Sequence, residues 1–296
     1  MTLFKGSGVA LITPFKNGKV NFEKLKEILN WHVESGTDAI IICGTTGEAS
    51  TMTEEERKET IKFTVDVINH RIPVIAGTGS NNTSSAINMS NWAESIGVDG
   101  VLVITPYYNK TTQKGILEHF KAINDAINVP IILYNVPSRT GLNITPNTLL
   151  KLCHLKNVVA IKEASGDFSQ IVAMKALCGD KIDFYSGNDD QIIPLLSLGG
   201  AGVISVAANI YPTEVHNMCD LYMNGKHEQA LKLQLDMLNV INALFIETNP
   251  IPIKTAMNLM EMNVGNLRLP LCDMEDSNLK ILKEALENYK SLLKED

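Results

Sequence analysis

Val158-Val159-Ala160-Ile161-Lys162-Glu163 is a short β-branched and apolar run that ends in a lysine and an acid. It shows no alternation of apolar and polar residues. That pattern suits a strand buried on both faces, as in a parallel sheet. Similar runs recur on both sides of it: Val9–Ile12, Ala39–Cys43, Pro73–Ala76, Gly100–Ile104, Ile131–Tyr134, Ile182–Ser186 and Gly202–Ser205. Eight strands are therefore expected.

Amphipathic stretches separate these runs. Asn21–Ser35 sets Phe22, Leu25, Ile28, Leu29 and His32 on one side, and Thr53 with Glu56 three residues on forms a capping box that opens another helix. Further helices are expected over Thr83–Ile96, Gln113–Ile127, Pro146–Leu152, Phe168–Leu177, Gln191–Leu198 and Pro212–Met223. Eight strand–helix units in alternation predict an α/β fold, a (β/α)8 TIM barrel, over residues 1–224. The competing doubly wound sheet lacks its glycine fingerprint, because Gly77-Thr78-Gly79 has no third glycine in place. From 225 to 296 no strand pattern remains, which predicts a C-terminal helical extension. His227–Glu247 reads as one long helix with Leu231, Leu235, Leu238 and Ile241 at helical spacing. A short helix follows near Lys254–Glu261, and a last one begins at about Ser277.

Composition narrows the function. A chain of 296 residues with net charge −7 is no general binder of the phosphate backbone, so no nucleic-acid partner is expected. The cysteines (Cys43, Cys153, Cys178, Cys219, Cys272) are odd in number and lack C-x-x-C spacing, which fits reduced thiols in a cytoplasmic enzyme. The run Val9–Ile12 is too short for a signal-peptide core, and no stretch is long enough to span a bilayer. None of the histidines (His32, His70, His119, His154, His216, His227) falls at an expected strand end or at zinc-ligand spacing, so no metal and no cofactor are expected.

Barrel active sites gather at the C-terminal ends of the strands. There the chain places Gly44-Thr45-Thr46-Gly47-Glu48, then Tyr134 followed by Asn135-Val136-Pro137-Ser138-Arg139-Thr140-Gly141. Lys162 follows with Glu163-Ala164-Ser165-Gly166-Asp167, and then Ser186-Gly187-Asn188-Asp189 and Ile204-Ser205. A lysine entering the barrel mouth from an apolar strand loses hydration, which lowers its pKa and frees an amine that can attack a ketone. On position alone a lysine that snorkels to solvent is the simpler reading; Tyr134 and the two threonines reverse it. A phenol can carry the protons that imine chemistry moves, though a tyrosine can also simply fill the barrel. Thr45 and Thr46 offer hydroxyls and free N–H groups for a carboxylate, or a cap for the next helix. Arg139 has the planar fork that suits a second carboxylate, or is an ordinary surface arginine.

Taken together, Gly44–Glu48, the Tyr-Asn-Val-Pro-Ser-Arg-Thr-Gly stretch at 134–141 and the Ile-Lys-Glu-Ala-Ser-Gly-Asp stretch at 161–167 resemble the dihydrodipicolinate synthase family, within the N-acetylneuraminate lyase class of pyruvate aldolases. The likeness runs from Gly8–Pro14 to the helical tail. It implies a lyase that condenses pyruvate with L-aspartate 4-semialdehyde in diaminopimelate and lysine biosynthesis. It implies Lys162 as the imine-forming residue and Tyr134 as proton donor and acceptor, with its hydroxyl linked to Thr46. Thr45 and Thr46 would hold pyruvate's carboxylate, Arg139 would hold the aldehyde's, and Gly187 and the carbonyl of Ile204 would line the site. Tyr108 would complete the relay in a neighbouring subunit of a homotetramer built as a dimer of dimers.

The alternative is another pyruvate-dependent lyase, acting on N-acetylneuraminate or a 2-keto-3-deoxy sugar acid; the Thr45-Thr46 pair and Ser138-Arg139-Thr140-Gly141 favour the synthase. One departure stands out. Lysine-inhibited relatives carry two histidines and a glutamate where this chain has Glu54, Arg57 and Ser85, although Asn81 and Tyr107 remain. Weak or absent feedback by lysine is expected.

Overall fold

The computed structural model describes residues 2–293. Eight parallel strands close into a barrel: β1 (Gly6–Ala10), β2 (Ala39–Ile42), β3 (Val74–Gly77), β4 (Gly100–Ile104), β5 (Ile131–Asn135), β6 (Val158–Glu163), β7 (Asp183–Ser186) and β8 (Gly202–Ser205). Each strand pairs with its neighbours in sequence, and β8 closes on β1 through the pairs Gly6↔Gly202 to Val9↔Ser205. The seam needs glycine. Gly202 has φ +150°, and a Cβ there would lie 1.9 Å from the carbonyl oxygen of Gly6.

The burial pattern explains why these runs are strands. One set of side chains, including Ala10, Ile41, Ile75, Leu102, Ile132, Ala160 and Ile204, fills the barrel interior. The alternate set, including Val9, Ile40, Ile42, Val101, Val103 and Ile161, packs outward against the helices. Both faces are apolar, so polar alternation is absent. The interior is further filled where Phe4 stacks on Tyr185 at 4.3 Å, with the Tyr185 hydroxyl donating to the Phe4 carbonyl at 2.6 Å.

Most expected helices stand where the periodicity puts them. Phe22–Glu34 buries Leu25, Ile28, Leu29 and His32, and Glu54–Ile68 opens on the complete Thr53/Glu56 capping box. Pro146–Leu152 and Pro212–Met223 match residue for residue. Three expectations are corrected. The first strand begins earlier, at Gly6, and the apolar Leu11 and Ile12 continue past its ladder as buried chain. A small hairpin, Phe15–Lys16 with Lys19–Val20, follows β1. The helix expected over His227–Glu247 is two helices, His227–Asp236 and Leu238–Ala243, which meet at the fully buried Met237. Its stripe also faces otherwise than the periodicity suggested. Of the expected stripe Leu231, Leu235 and Leu238 are exposed and Ile241 alone is buried, while Ala230, Gln234 and Val240 make up the rest of the buried side. Helices Ile251–Leu259 and Asp276–Leu292 complete the C-terminal segment, and the last buries Leu282, Ala285, Leu286 and Tyr289. Among the described residues no helix is long and apolar enough to cross a membrane.

Candidate active site

Strand register brings the chemistry together. Tyr134 and Lys162 are direct partners on β5 and β6, and Lys162 in turn pairs with Tyr185 on β7. Both Tyr134 and Lys162 are buried, at 7% and 5% exposure, and the lysine Nζ lies 4.6 Å from the centroid of the Tyr134 ring. An ammonium ion held there is poorly hydrated. Burial pushes the Lys162 pKa down to about 8, against the opposing pull of the Asp189 carboxylate and with some help from the Arg139 guanidinium. Roughly a tenth of such lysines carry a free amine at pH 7, against fewer than one in a thousand for an ordinary lysine.

The Tyr134 phenol moves the other way. Burial raises its pKa, while the nearby Arg139 charge and a hydrogen bond with Thr45 oppose the rise. At neutral pH it is a proton donor, and the two groups that oppose the rise are those that would steady a transient phenolate. Thr45 is therefore the threonine on the phenol, where the family resemblance had pointed to Thr46. The Thr46 hydroxyl is buried and occupied differently, accepting a hydrogen bond from Asn249 Nδ2 at 2.9 Å. Arg139, at the tip of the short helix Pro137–Thr140, donates from Nη2 to the Asn249 carbonyl at 3.0 Å. Asn249 thus ties the threonine loop to the arginine loop. It lies far from both in sequence, and nothing in the local pattern around it pointed to the site.

The threonine loop is also anchored from below. Glu48, in left-handed backbone with φ 55°, is 1% exposed and accepts from Lys254 Nζ at 2.7 Å and from the Arg268 backbone N–H at 3.0 Å. Lys254 Nζ donates in addition to the carbonyls of Thr13 and Asn266 and sits 4.4 Å from the Phe15 ring centroid. The C-terminal segment therefore fixes the loop that carries Thr45 and Thr46.

Gly187 follows β7 and packs on the lysine itself. A Cβ there would fall 3.1 Å from Lys162 Cε and 2.5 Å from the Ala164 Cβ. Ile204 is fully buried on β8. A cleft of about 280 Å³ opens on the Tyr134 side of the site, lined by Gly44, Thr45, Ser50, Arg57, Tyr107, Tyr134 and Arg139 among others, while Lys162, Gly187 and Ile204 lie outside its lining. Tyr108 is not gathered in. It is 92% exposed with φ 70°, so the single chain leaves it outside the cleft and Tyr107 forms the wall instead. Asp189, named in the sequence only as part of a strand-end run, lies buried beside this centre.

A closed parallel barrel with a depressed-pKa lysine and a phenol at its mouth defines a lyase of the Schiff-base, class I aldolase type. Comparisons agree. Residues 3–289 match the dihydrodipicolinate synthetase family. A 4-hydroxy-tetrahydrodipicolinate synthase of Clostridium novyi (strain NT) is 83% identical over 295 residues, covering 100% of both chains. The crystal structure of dihydrodipicolinate synthase from Aquifex aeolicus superposes with a TM-score of 0.95 at 43% identity, covering 97% of this chain and 98% of that one. The 4-hydroxy-tetrahydrodipicolinate synthase of Methylacidiphilum fumariolicum SolV gives 0.97 at 39%, covering 98% and 97%. The chain belongs to the dihydrodipicolinate synthetase family.

Proposed function

We propose that this chain is a 4-hydroxy-tetrahydrodipicolinate synthase, joining pyruvate to L-aspartate 4-semialdehyde through an imine on Lys162. The observation that carries the reading is the buried Lys162 amine against Tyr134, with Thr45 on the phenol; membership of the family supports the choice of substrates. The free amine of Lys162 attacks the keto carbon of pyruvate, while N–H groups and hydroxyls of the Thr45-Thr46 loop receive the carboxylate. The carbinolamine loses water as Tyr134 protonates the departing hydroxyl. The resulting phenolate, steadied by Arg139 and Thr45, takes a proton from the pyruvyl methyl group and leaves an enamine. The enamine carbon adds to the aldehyde of the second substrate, whose carboxylate Arg139 binds. The amino group of that substrate then attacks the imine carbon, closing a six-membered ring and releasing Lys162.

Tyr108 completes the proton relay from a second copy of the chain, and the exposed, left-handed conformation of this residue supports that role. The functional unit in this reading is a homotetramer made of two tight dimers. Lysine is a weak inhibitor or none, because Arg57 lines the cleft and position 85 is a serine whose backbone N–H is used by the Asn82 cap. Purified protein given pyruvate with each of several aldehydes tests the assignment. Rapid turnover with L-aspartate 4-semialdehyde alone is expected. Preference for N-acetylmannosamine or a sugar aldehyde would replace the reading with that of another pyruvate lyase.

A further inference from the structure

Asp189 is a buried carboxylate that the reaction above does not use. It is 1% exposed and opens the turn after β7, two residues beyond Gly187, the residue that packs on Lys162 Cε. One of its oxygens is held firmly. Oδ2 accepts from the backbone N–H of Val206 and of Ala207, each at 3.0 Å, at the point where β8 gives way to a short turn of helix. Its own carbonyl accepts from Gln234 Nε2 at 2.9 Å, and Gln234 Oε1 in turn accepts from the Ile193 N–H at 3.2 Å. Ser205 accepts from the Ala208 N–H at 2.9 Å, which leaves its proton to donate to the Asp189 carboxylate. The other oxygen, Oδ1, is fully buried and has no hydrogen-bond partner.

A carboxylate gripped on one oxygen and bare on the other is costly if its only task is to cap a turn, since an unpartnered buried acceptor loses its hydration for nothing. Its electrostatic surroundings supply a use. Burial pushes the Asp189 carboxyl pKa up, the hydrogen bonds from Ser205, Ala207 and Val206 and the charge of Lys162 on β6 pull it back, and the other titratable neighbour is the Cys219 thiol on the helix Pro212–Met223. Lys162 feels the Asp189 carboxylate and the Arg139 guanidinium, with the Tyr134 ring beside it. Asp189 is therefore the acid whose negative charge reaches the lysine, without a direct ion pair between them, and Arg139 opposes it. Glu163, the buried acid next to Lys162 on β6, is spent on the Asn135 amide and the Ser165 N–H.

The reaction changes what the lysine requires. The free residue must give up a proton to attack, but loss of water from the carbinolamine leaves a protonated imine. That imine must keep its positive charge to draw electrons from the methyl C–H bond. A cation created in a dry site needs an anion already in place.

We propose that Asp189 is a positioning residue: its carboxylate, clamped by Ser205, Val206 and Ala207, is the built-in counter-charge that keeps the Lys162 imine protonated. The inference rests on the imine-forming reading of Lys162. It makes the turn after β8 part of the catalytic apparatus, because that turn supplies the donors that aim the carboxylate. A purely structural Asp189 would affect folding and the amount of active enzyme, but not the pH at which the lysine titrates.

The test uses full-length Asp189→Asn, with Ser205→Ala as a milder variant that keeps the carboxylate but removes one donor. Two quantities are read: the pH profile of kcat/KM for pyruvate, and the yield of cyanoborohydride-trapped adduct on Lys162 at neutral pH. Without the counter-charge the lysine loses its proton more readily, so the acid limb of Asp189→Asn should move down by about one pH unit or more. At the same time kcat and trapped adduct should fall by roughly tenfold or more, because less imine is protonated. Ser205→Ala should shift the limb in the same direction by less, which keeps the test open if Asp189→Asn does not fold. An acid limb unmoved in the variants, whatever their activity, overturns the proposal. If the wild-type protein itself traps no adduct on Lys162, the failure lies instead with the reaction assigned to the site.

Discussion

Lys162 and Tyr134 face each other as partners in the β5–β6 ladder, with the lysine Nζ 4.6 Å from the centre of the phenol ring. One register therefore places nucleophile and proton carrier together, and the same burial drives their pKa values in opposite directions. The lysine is brought down to about 8 and so can lose its proton, while the phenol is pushed up and so keeps its own.

Replacing Tyr134 by Phe keeps the ring and removes the proton carrier. Turnover should fall by roughly 10²–10⁴-fold while pyruvate still binds. Steady-state assay together with calorimetric titration of pyruvate checks this, and unchanged turnover would strip the phenol of its role.

Gly187 is predicted to tolerate no side chain. Its Cβ would lie 2.5 Å from the Ala164 Cβ and 3.1 Å from both the Glu163 carbonyl oxygen and Lys162 Cε, so Gly187→Ala must displace the lysine or the strand. Overpacking of this kind costs about 1–3 kcal/mol of stability, and a nucleophile moved by an ångström loses roughly 10²-fold in rate. Urea melts and pyruvate kinetics on the same preparation read both effects. A variant with wild-type kinetics would mean that the glycine is not what seats the amine.

The Glu48–Lys254 pair is expected to be the strongest single tie between the threonine loop and the C-terminal segment. Removing one partner strands the other charge in the interior, so Glu48→Gln should cost about 3–5 kcal/mol. Pairing it with Lys254→Met should recover part of that loss. A double variant less stable than the single one would show that the pair does not act as a unit.

The cleft wall bears on regulation. Arg57 lines it and donates from Nη2 to the Gly77 carbonyl at 2.9 Å, so an incoming lysine ammonium meets a fixed positive charge with no carboxylate at Ser85 to receive it. Inhibition by L-lysine should be absent or confined to high concentration. Half-maximal inhibition at low lysine in the coupled assay would contradict this.

The barrel was legible because its strands are short apolar runs largely buried on both faces and separated by helical stretches; Val158–Lys162 and Gly100–Ile104 show that burial plainly. The hairpin at Phe15–Val20 was not, since each arm is two residues long and shows no periodicity. The helix after Lys226 was over-extended because Leu231, Leu235 and Leu238 suggest one continuous stripe, whereas burial is decided by Ala230, Gln234 and Met237 on another side. Strand-end position brought Lys162, Tyr134, Thr45, Thr46 and Arg139 forward together, though the company of Tyr134 and the threonines, not position alone, favoured a reactive lysine over one that snorkels to solvent. It could not find Asn249, whose contact with Thr46 spans 203 positions of sequence, nor assign a role to Asp189, whose meaning depends on which backbone N–H groups the next strand presents to it.

The most direct test of the central claim is borohydride reduction of the protein in the presence of pyruvate, followed by peptide mapping. One reduced pyruvyl adduct per chain is expected, on Lys162, forming faster as pH rises through about 8, where the buried amine loses its proton. Adduct on another lysine, or condensation at full rate with no adduct at all, would contradict it.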